Sequence, residues 1–119
     1  MSIAKLLTEV DDKSLADCKS FLRIDSNYED PLLKTLMLAA RKDVMIQVGD
    51  KIDDFFDDNP IFQAAVLMKT YHMYVNRDSS AQAMNFDIKD GYASEINAMK
   101  DDYRLLMDKQ AQSNEESGE

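Results

Sequence analysis

The chain has 119 residues, of which 45% are hydrophobic, enough to bury one core of ordinary size. Asp and Glu number 23 against 14 Lys and Arg, which gives a formal net charge of −9 at pH 7. Because binding to nucleic-acid phosphates or anionic lipids requires clustered cations, this balance argues against both kinds of partner.

Turn-forming residues are scarce, since Gly and Pro number only 3 and 2. A β-sandwich or barrel requires many more turns. We therefore expect an all-α fold, a small bundle of about four helices with a flexible loop or short hairpin before the last one. Cys18 is the single cysteine, which excludes an internal disulfide and fits a reducing compartment. No apolar run is long enough to span a membrane, and Met1–Val10 is too charged for a signal peptide.

The N-terminal residues predict two short elements. An apolar stripe at the start indicates a short helix or a loosely docked arm, and it comprises Ile3, Leu6, Leu7 and Val10. Ser14 with Asp17 resembles a capping box that opens a second short helix. We expect Cys18 to pack as a small hydrophobe on that helix, because nothing near it in sequence supplies a catalytic base.

A long helix is predicted after the acidic turn Asp25–Asp30. The turn lacks the glycine and terminal glutamate of an EF-hand, so calcium is not expected there. Asp30 is the predicted N-cap, Pro31 occupies the first helical position, and Gly49 is the predicted left-handed residue after the helix.

The apolar residues of this helix lie on more than one side. Its predicted core face comprises Leu33, Leu36, Met37, Ala40, Val44 and Val48. Leu38 and Met45 are predicted to lie nearly opposite that face, and one flank carries Leu32, Ala39 and Ile46. Such a pattern indicates either contacts beyond the helix's own chain or ordinary exposed apolar residues.

An acidic connection follows, in which two phenylalanines stand among four aspartates: Asp53, Asp54, Asp57 and Asp58. On a helix, the i, i+4 spacing of these carboxylates would suit Mg²⁺, as in all-α nucleotide pyrophosphohydrolases. Those enzymes need matching carboxylates on a second helix, and the next helix has none. We therefore expect a solvated connection anchored by Phe55 and Phe56, with no metal site.

The next helix, Pro60–Arg77, is apolar nearly all round, which is typical of a central, enclosed helix. Asn59 is its predicted N-cap. His72 is the only histidine, so no catalytic triad or histidine metal cluster can be built around a second one. We expect His72 to be packed and hydrogen-bonded.

The remaining chain is predicted to form a polar link, one more helix and a tail. The link is Asp78–Gly91, within which Asn85–Lys89 alternates weakly, as a short strand or hairpin arm would. The helix is Tyr92–Lys109, and its clean stripe comprises Tyr92, Ile96, Met99, Tyr103, Leu106 and Met107. Residues 110–119 are acidic and non-periodic, so we divide the chain into a helical domain, 1–109, and a disordered tail, 110–119.

Several short strings, taken in order, resemble one protein family. The string Leu22–Asp25 closes a short helix before an acidic turn, and Ala39 with Ala40 lies in a helix that closes on Gly49. The later strings are Tyr74 followed by Asn76 and Arg77, then Tyr92–Ser94 and Ile96–Arg104. Over Ser14–Leu106 this order is similar to the head–tail connector proteins, also called head-completion or adaptor proteins, of tailed bacteriophages.

The resemblance implies a structural virion protein at the head–tail junction. Connectors of this family form a ring, commonly of twelve subunits, beneath the portal. The ring extends the channel through which DNA passes without specific binding, and it docks the tail or a stopper protein. The resemblance therefore implies no catalysis, cofactor or metal. Its implied partners are further copies of the chain, the portal protein and the tail or stopper protein, in a virion assembled in a host bacterial cytoplasm.

Two sets of residues are candidate contacts in such an assembly. The candidate subunit interface comprises Arg23, Leu38, Met45, Tyr74, Arg77 and Phe86. Arg23 and Arg77 would act there as ion-pair partners, or else cap helix ends within their own chain. The candidate partner-binding tail comprises Gln110, Asn114, Glu115 and Glu116.

Two other functions are compatible with the composition. An acidic protein that mimics DNA would bind a basic enzyme through carboxylates spaced like phosphates. An all-α metal-dependent nucleotide hydrolase would use the four aspartates of the acidic connection, and substitution of Asp54 or Asp57 by alanine would abolish its activity.

Overall fold

The computed structural model describes the backbone of residues 3–76 and 85–117, and the side chains of residues 3–76 and 91–112. It contains five helices: α1 (Ile3–Leu6), α2 (Asp12–Leu22), α3 (Asp30–Val48), α4 (Pro60–Asn76) and α5 (Asn85–Ser117). No strand occurs in the described residues, which confirms the all-α prediction. The predicted N-terminal stripe forms α1, whose Leu6 is buried.

Helix α2 begins earlier than predicted. Its N-cap is Asp11, whose carboxylate accepts a 2.9 Å hydrogen bond from the backbone N–H of Ser14. The predicted capping box at Ser14 is therefore wrong, because Ser14 lies inside the first turn. The helix ends at Arg23 in the left-handed region, at φ 60°, and the Arg23 N–H donates to the last-turn carbonyls.

Helix α3 ends at Val48 as predicted, but it begins one residue earlier than predicted, at Asp30. Glu29 is the N-cap and makes no side-chain capping bond, while Asp30 forms a 3.0 Å ion pair with Lys19 of α2. Gly49 ends the helix at φ 134° and ψ 154°, an extended conformation open to glycine rather than the left-handed one. A Cβ at Gly49 would lie only 2.7 Å from the ring of Tyr103.

Residues 50–58 form turns that carry two buried phenylalanines. Phe55 meets Tyr103 of α5 edge to face at 5.3 Å between ring centroids, and Phe56 packs on Phe62 of α4. The prediction of a connection anchored by these rings is confirmed. The Oδ1 of Asn59 then accepts from the N–H groups of Ile61 and Phe62, so Asn59 caps α4 as predicted.

Helix α4 packs against α2, α3 and α5, as its nearly all-apolar sequence predicts. The core has two clusters. The larger joins Leu6, the C-terminal half of α3, the 50–58 turns, the first half of α4 and α5. The smaller joins α2 with Leu33 and Met37 of α3, and Tyr74 packs against it.

Helix α5 is longer than the sequence predicts. Its 33 residues begin at Asn85, so the suggested strand or hairpin over Asn85–Lys89 is wrong. They also run past the predicted end at Lys109. Residues 77–84, which comprise the last residue of the predicted helix Pro60–Arg77 and the first part of the predicted link, lie outside the described residues. The division into a domain and a disordered tail stays a prediction.

Candidate subunit and partner surfaces

Met45 lies in the core of the subunit, with 2% of its surface exposed. Its predicted place nearly opposite the core face is therefore wrong. The buried side of α3 is wider than periodicity indicates, because Arg41 and Met45 are buried together with the predicted core residues other than Leu36, which is half-buried. Leu38, on the same side, is half-buried.

The other candidate interface residues are scattered. Arg23 is exposed at the end of α2. Tyr74 is half-buried, and its hydroxyl donates a 2.9 Å hydrogen bond to Glu29, which ties α4 to the turn before α3. Arg77 lies outside the described residues, and Phe86 lies on α5 where only the backbone is described.

The candidate tail residues occupy the C-terminal end of α5. Gln110 is exposed, whereas Asn114, Glu115 and Glu116 are described only by their helical backbone. The apolar contacts of α5 with the core end at Met107. The helix therefore continues beyond the part that the core holds.

Buried Arg41 is a structural residue that periodicity did not identify. Its Nη1 donates to the carbonyl of Leu6 at 3.0 Å and to the carbonyl of Glu9 at 2.7 Å. Burial lowers the pKa of the guanidinium, although the nearby Asp11 carboxylate opposes that shift. Arg41 thus fixes the N-terminal arm, residues 3–10, against α3.

A polar network joins the three long helices. The Tyr92 hydroxyl of α5 donates a short hydrogen bond to Asp43 of α3. Lys69 of α4 lies 3.8 Å from the same carboxylate and 5.5 Å from the centre of the Tyr92 ring. Burial, together with the Asp43 carboxylate, raises the pKa of Tyr92. The phenol is therefore neutral at any physiological pH and serves as a fixed donor between helices.

A cavity of about 440 Å³ opens between α2, α3 and α4. Its lining includes apolar side chains such as Met37, Phe62 and Val66, together with more carboxylates than cations. An anionic ligand such as a nucleotide phosphate would therefore find no net attraction in it.

The acidic connection does not have the geometry that a metal-dependent hydrolase requires. The i, i+4 pairing of its aspartates assumed a helix, but residues 50–58 form turns. Asp53 instead accepts a 3.2 Å hydrogen bond from the N–H of Ile3. Within the described residues, no group of three or more His, Cys, Asp or Glu side chains is placed to hold a metal ion.

The two residues most often found in catalytic pairs are structural in this chain. Cys18 is fully buried, and burial raises the pKa of its thiol to about 11. His72 shares a 2.9 Å hydrogen bond with Asn76 one turn later. Both predictions, a packed cysteine and a hydrogen-bonded histidine, are confirmed.

Among the side chains that the structure describes, none of the large apolar ones that are exposed belongs to the predicted subunit interface. They are Phe21 on α2, Tyr28 in the turn before α3, Leu32 and Ile46 on α3, and Leu105 and Leu106 on α5, and Ile46 is 70% exposed. Leu32, Ala39 and Ile46 repeat every seven residues, a spacing that predicts the flank of the core face, yet all three are exposed.

No helix among residues 3–76 and 85–117 is both long and apolar enough to cross a membrane. The described part of the chain is a small all-α fold with exposed apolar side chains on α2, α3 and α5.

The family model of the phage gp6-like head-tail connector proteins matches residues 12–104. The chain therefore belongs to the phage gp6-like head-tail connector family, and it is a structural connector protein of a phage. Neither the curated proteins nor the solved structures give a significant match to it. The match ends within α5, so it does not include residues 105–119.

Proposed function

We propose that this chain forms a ring, of twelve subunits as the resemblance implies, beneath the portal of a tailed phage. The ring extends the channel for DNA and presents a docking surface to the tail or to a stopper protein. The observation that carries this proposal is the family match, which spans α2, α3, α4 and most of the core-facing part of α5.

The charge of the chain supports a channel that DNA passes without being held. Binding to duplex DNA depends on cations that displace condensed counterions from the phosphates. With a net charge of −9, the subunit has an excess of negative charge instead of the cations that such binding requires. An acidic wall repels the phosphates, so the duplex slides past the ring.

The C-terminal end of α5 is suited to reach a neighbouring component. The core holds this helix as far as Met107, and the described residues after it, Asp108–Gln112, are exposed. We propose that residues 110–119 dock on the portal or on the next ring. A role of this kind needs neither a catalytic group nor a cofactor.

The proposal is tested by electron microscopy, with measurement of particle mass, on the purified chain alone and mixed with the portal protein of the same phage. We expect rings with a central channel in at least one sample, because a connector subunit can be monomeric until its partner is present. Small compact particles in both samples would overturn the ring and would favour an acidic interaction protein that mimics DNA.

A further inference from the structure

The outward face of α3 carries an unpartnered apolar stripe, which consists of Leu32, Ala39 and Ile46. All three are exposed, Ile46 most of all, and they repeat every seven residues along the helix. At about 1.5 Å of rise per residue, neighbouring members of the stripe lie about 10 Å apart. The small Ala39 therefore forms a shallow depression between two larger side chains.

The outward face of α5 carries a second apolar patch. Leu105 is 60% exposed, and Leu106 beside it is also exposed. One turn away on either side of Leu105 stand three exposed carboxylates: Asp101, Asp102 and Asp108. Two exposed cations, Arg104 and Lys109, also lie near Leu105, so carboxylates outnumber cations around this leucine by three to two.

The two faces point away from a common core. Val44 and Val48 of α3 share one buried cluster with Met99 and Tyr103 of α5. Because the inner faces of both helices converge on that cluster, their outer faces look in different directions. One subunit cannot join its own two patches, but two copies can join the α3 stripe of one to the α5 patch of the other.

The charges on the two faces are complementary. The acidic residues of α3 are engaged within the subunit, Asp30 with Lys19 and Asp43 with Tyr92. Lys42, beside the stripe and one turn from Ala39 and Ile46, is exposed. The α3 face thus presents a cation and apolar side chains toward solvent, whereas the α5 face presents an excess of carboxylates over cations around Leu105.

We propose that the α3 stripe of each subunit binds the α5 patch of a second copy of this chain, with Leu105 seated over Ala39 between Leu32 and Ile46. Lys42 then faces the carboxylates that surround Leu105. Two different patches make a head-to-tail contact, which closes into a ring when the rotation between copies permits. The contact rests on the proposed ring and specifies which surfaces build it.

Engineered cysteines test the contact under the conditions in which the chain assembles, with the portal protein where assembly requires it. The double variant Ile46→Cys/Leu105→Cys should give a ladder of disulfide-linked oligomers on mild oxidation. Each single variant should give no covalent dimer, because like patches do not meet. The native Cys18 does not interfere, since its thiol is buried and its pKa is raised to about 11.

The matched control is Ala16→Cys/Leu105→Cys, in which the first cysteine stands at an exposed position of α2. We expect no ladder from it. A ladder of equal yield from the control would mean random collision and would overturn the contact. Covalent dimers from Ile46→Cys alone would also overturn it, because they would show α3 meeting α3.

A second experiment does not depend on disulfide geometry. Ile46→Asp and Leu105→Asp should each prevent ring formation, while their mixture should give heterodimers and nothing larger, since one intact contact remains per pair. Rings of normal size from both variants would overturn the contact while leaving the ring itself standing. If the wild-type chain gives no ring with or without the portal protein, the proposed function fails, and this contact fails with it.

Discussion

Met45 and Ile46 are adjacent in α3 and have similar apolar side chains, yet one is 2% exposed and the other 70%. Met45 belongs to the larger core cluster, where the N-terminal arm and the 50–58 turns also pack. Ile46 points outward. Within one turn of α3, Met45 therefore belongs to the core of the subunit and Ile46 to the face that we propose for assembly.

Replacement of these two side chains by alanine should have opposite consequences. We expect Met45→Ala to lower the free energy of unfolding by about 2–5 kcal/mol, because it leaves a cavity in a packed core. Ile46→Ala should change it by less than about 0.5 kcal/mol, as exposed substitutions do. Urea unfolding followed by circular dichroism measures both. Equal losses of stability in the two variants would contradict the assigned faces of α3.

Arg41 accounts for much of the difference between the predicted and observed faces of α3. A charged residue normally marks the solvent side of a helix, so periodicity placed the core face away from it. The guanidinium is buried because it donates to the carbonyls of Leu6 and Glu9, and the arm that supplies them covers that side. Such a long-range contact leaves no periodic signal.

At the scale of whole elements, the helix starts show how a local signal succeeds or fails. Asn59 before Pro60 predicted the start of α4 correctly, and the Asn59 Oδ1 makes the capping bonds. The same pairing of a cap residue with proline at Asp30 and Pro31 did not predict the cap of α3, since Asp30 pairs with Lys19 instead. For α2, the capping-box pattern predicted Ser14 as the cap, whereas Asp11, three residues earlier, caps the helix by accepting from the Ser14 N–H.

The N-cap of α2, Asp11, and the N-cap of α4, Asn59, should differ in how their contributions to stability depend on pH. The hydrogen bond from Ser14 lowers the pKa of the Asp11 carboxyl below its ordinary value of 3.8. The ionised Asp11 carboxylate therefore stabilises the folded chain fully at pH values above its ordinary pKa. This stabilisation is lost as the pH falls through the lower pKa of the folded state. We expect Asp11→Ala to cost about 1 kcal/mol at pH 7 and progressively less in acid.

Asn59→Ala is the matched control for this measurement. Removal of the Asn59 cap should also lower the stability by about 1 kcal/mol. Because an amide does not titrate, this loss of stability should stay constant across the same pH range. Thermal unfolding of both variants between pH 7 and pH 3 gives the comparison. A pH-independent loss in Asp11→Ala would show that the carboxylate charge contributes nothing to the cap.

The all-α class and the central position of α4 followed from the sequence, because scarce turn residues and an all-round apolar helix are properties of composition and period. The location of the surfaces that we propose for assembly did not follow from the sequence. Leu32, Ala39 and Ile46 have the same period as a core stripe, and only the packing of the other helices reveals that this stripe remains uncovered. The contributions of Arg77 and Phe86 to assembly stay predictions.

In the whole molecule, one part of α5 packs in the core and the C-terminal part of the same helix extends beyond the core. Helix α5 contributes Ile96, Met99 and Tyr103 to the larger core cluster, and its last apolar contact with that cluster is made by Met107. Tyr103 is fixed further by its hydroxyl, which accepts a 2.8 Å hydrogen bond from the N–H of Lys51. The part of α5 up to Met107 therefore stabilises the subunit, and the described residues after it are free of the core and belong to the part that we propose to contact a partner.

Removal of residues 110–119 should consequently leave the fold intact and impair assembly. The deleted segment lies beyond Met107, so we expect the melting temperature to change by no more than a few degrees. Binding to the portal protein or the next ring should fall at least tenfold. Differential scanning calorimetry and a pull-down with the purified portal protein measure the two properties on the same samples.

A second variant, with Glu115→Gln and Glu116→Gln in the full-length chain, separates the charge of the tail from its length. If the tail binds through its carboxylates, this variant should lose as much binding as the truncation, and the loss should resemble that of the wild type at high salt, where exposed charges are screened. If shape and backbone contacts dominate, the variant should bind as the wild type does. Full binding by the truncated chain would contradict the tail's proposed role and would leave the α3 and α5 faces as the surfaces through which the subunit assembles.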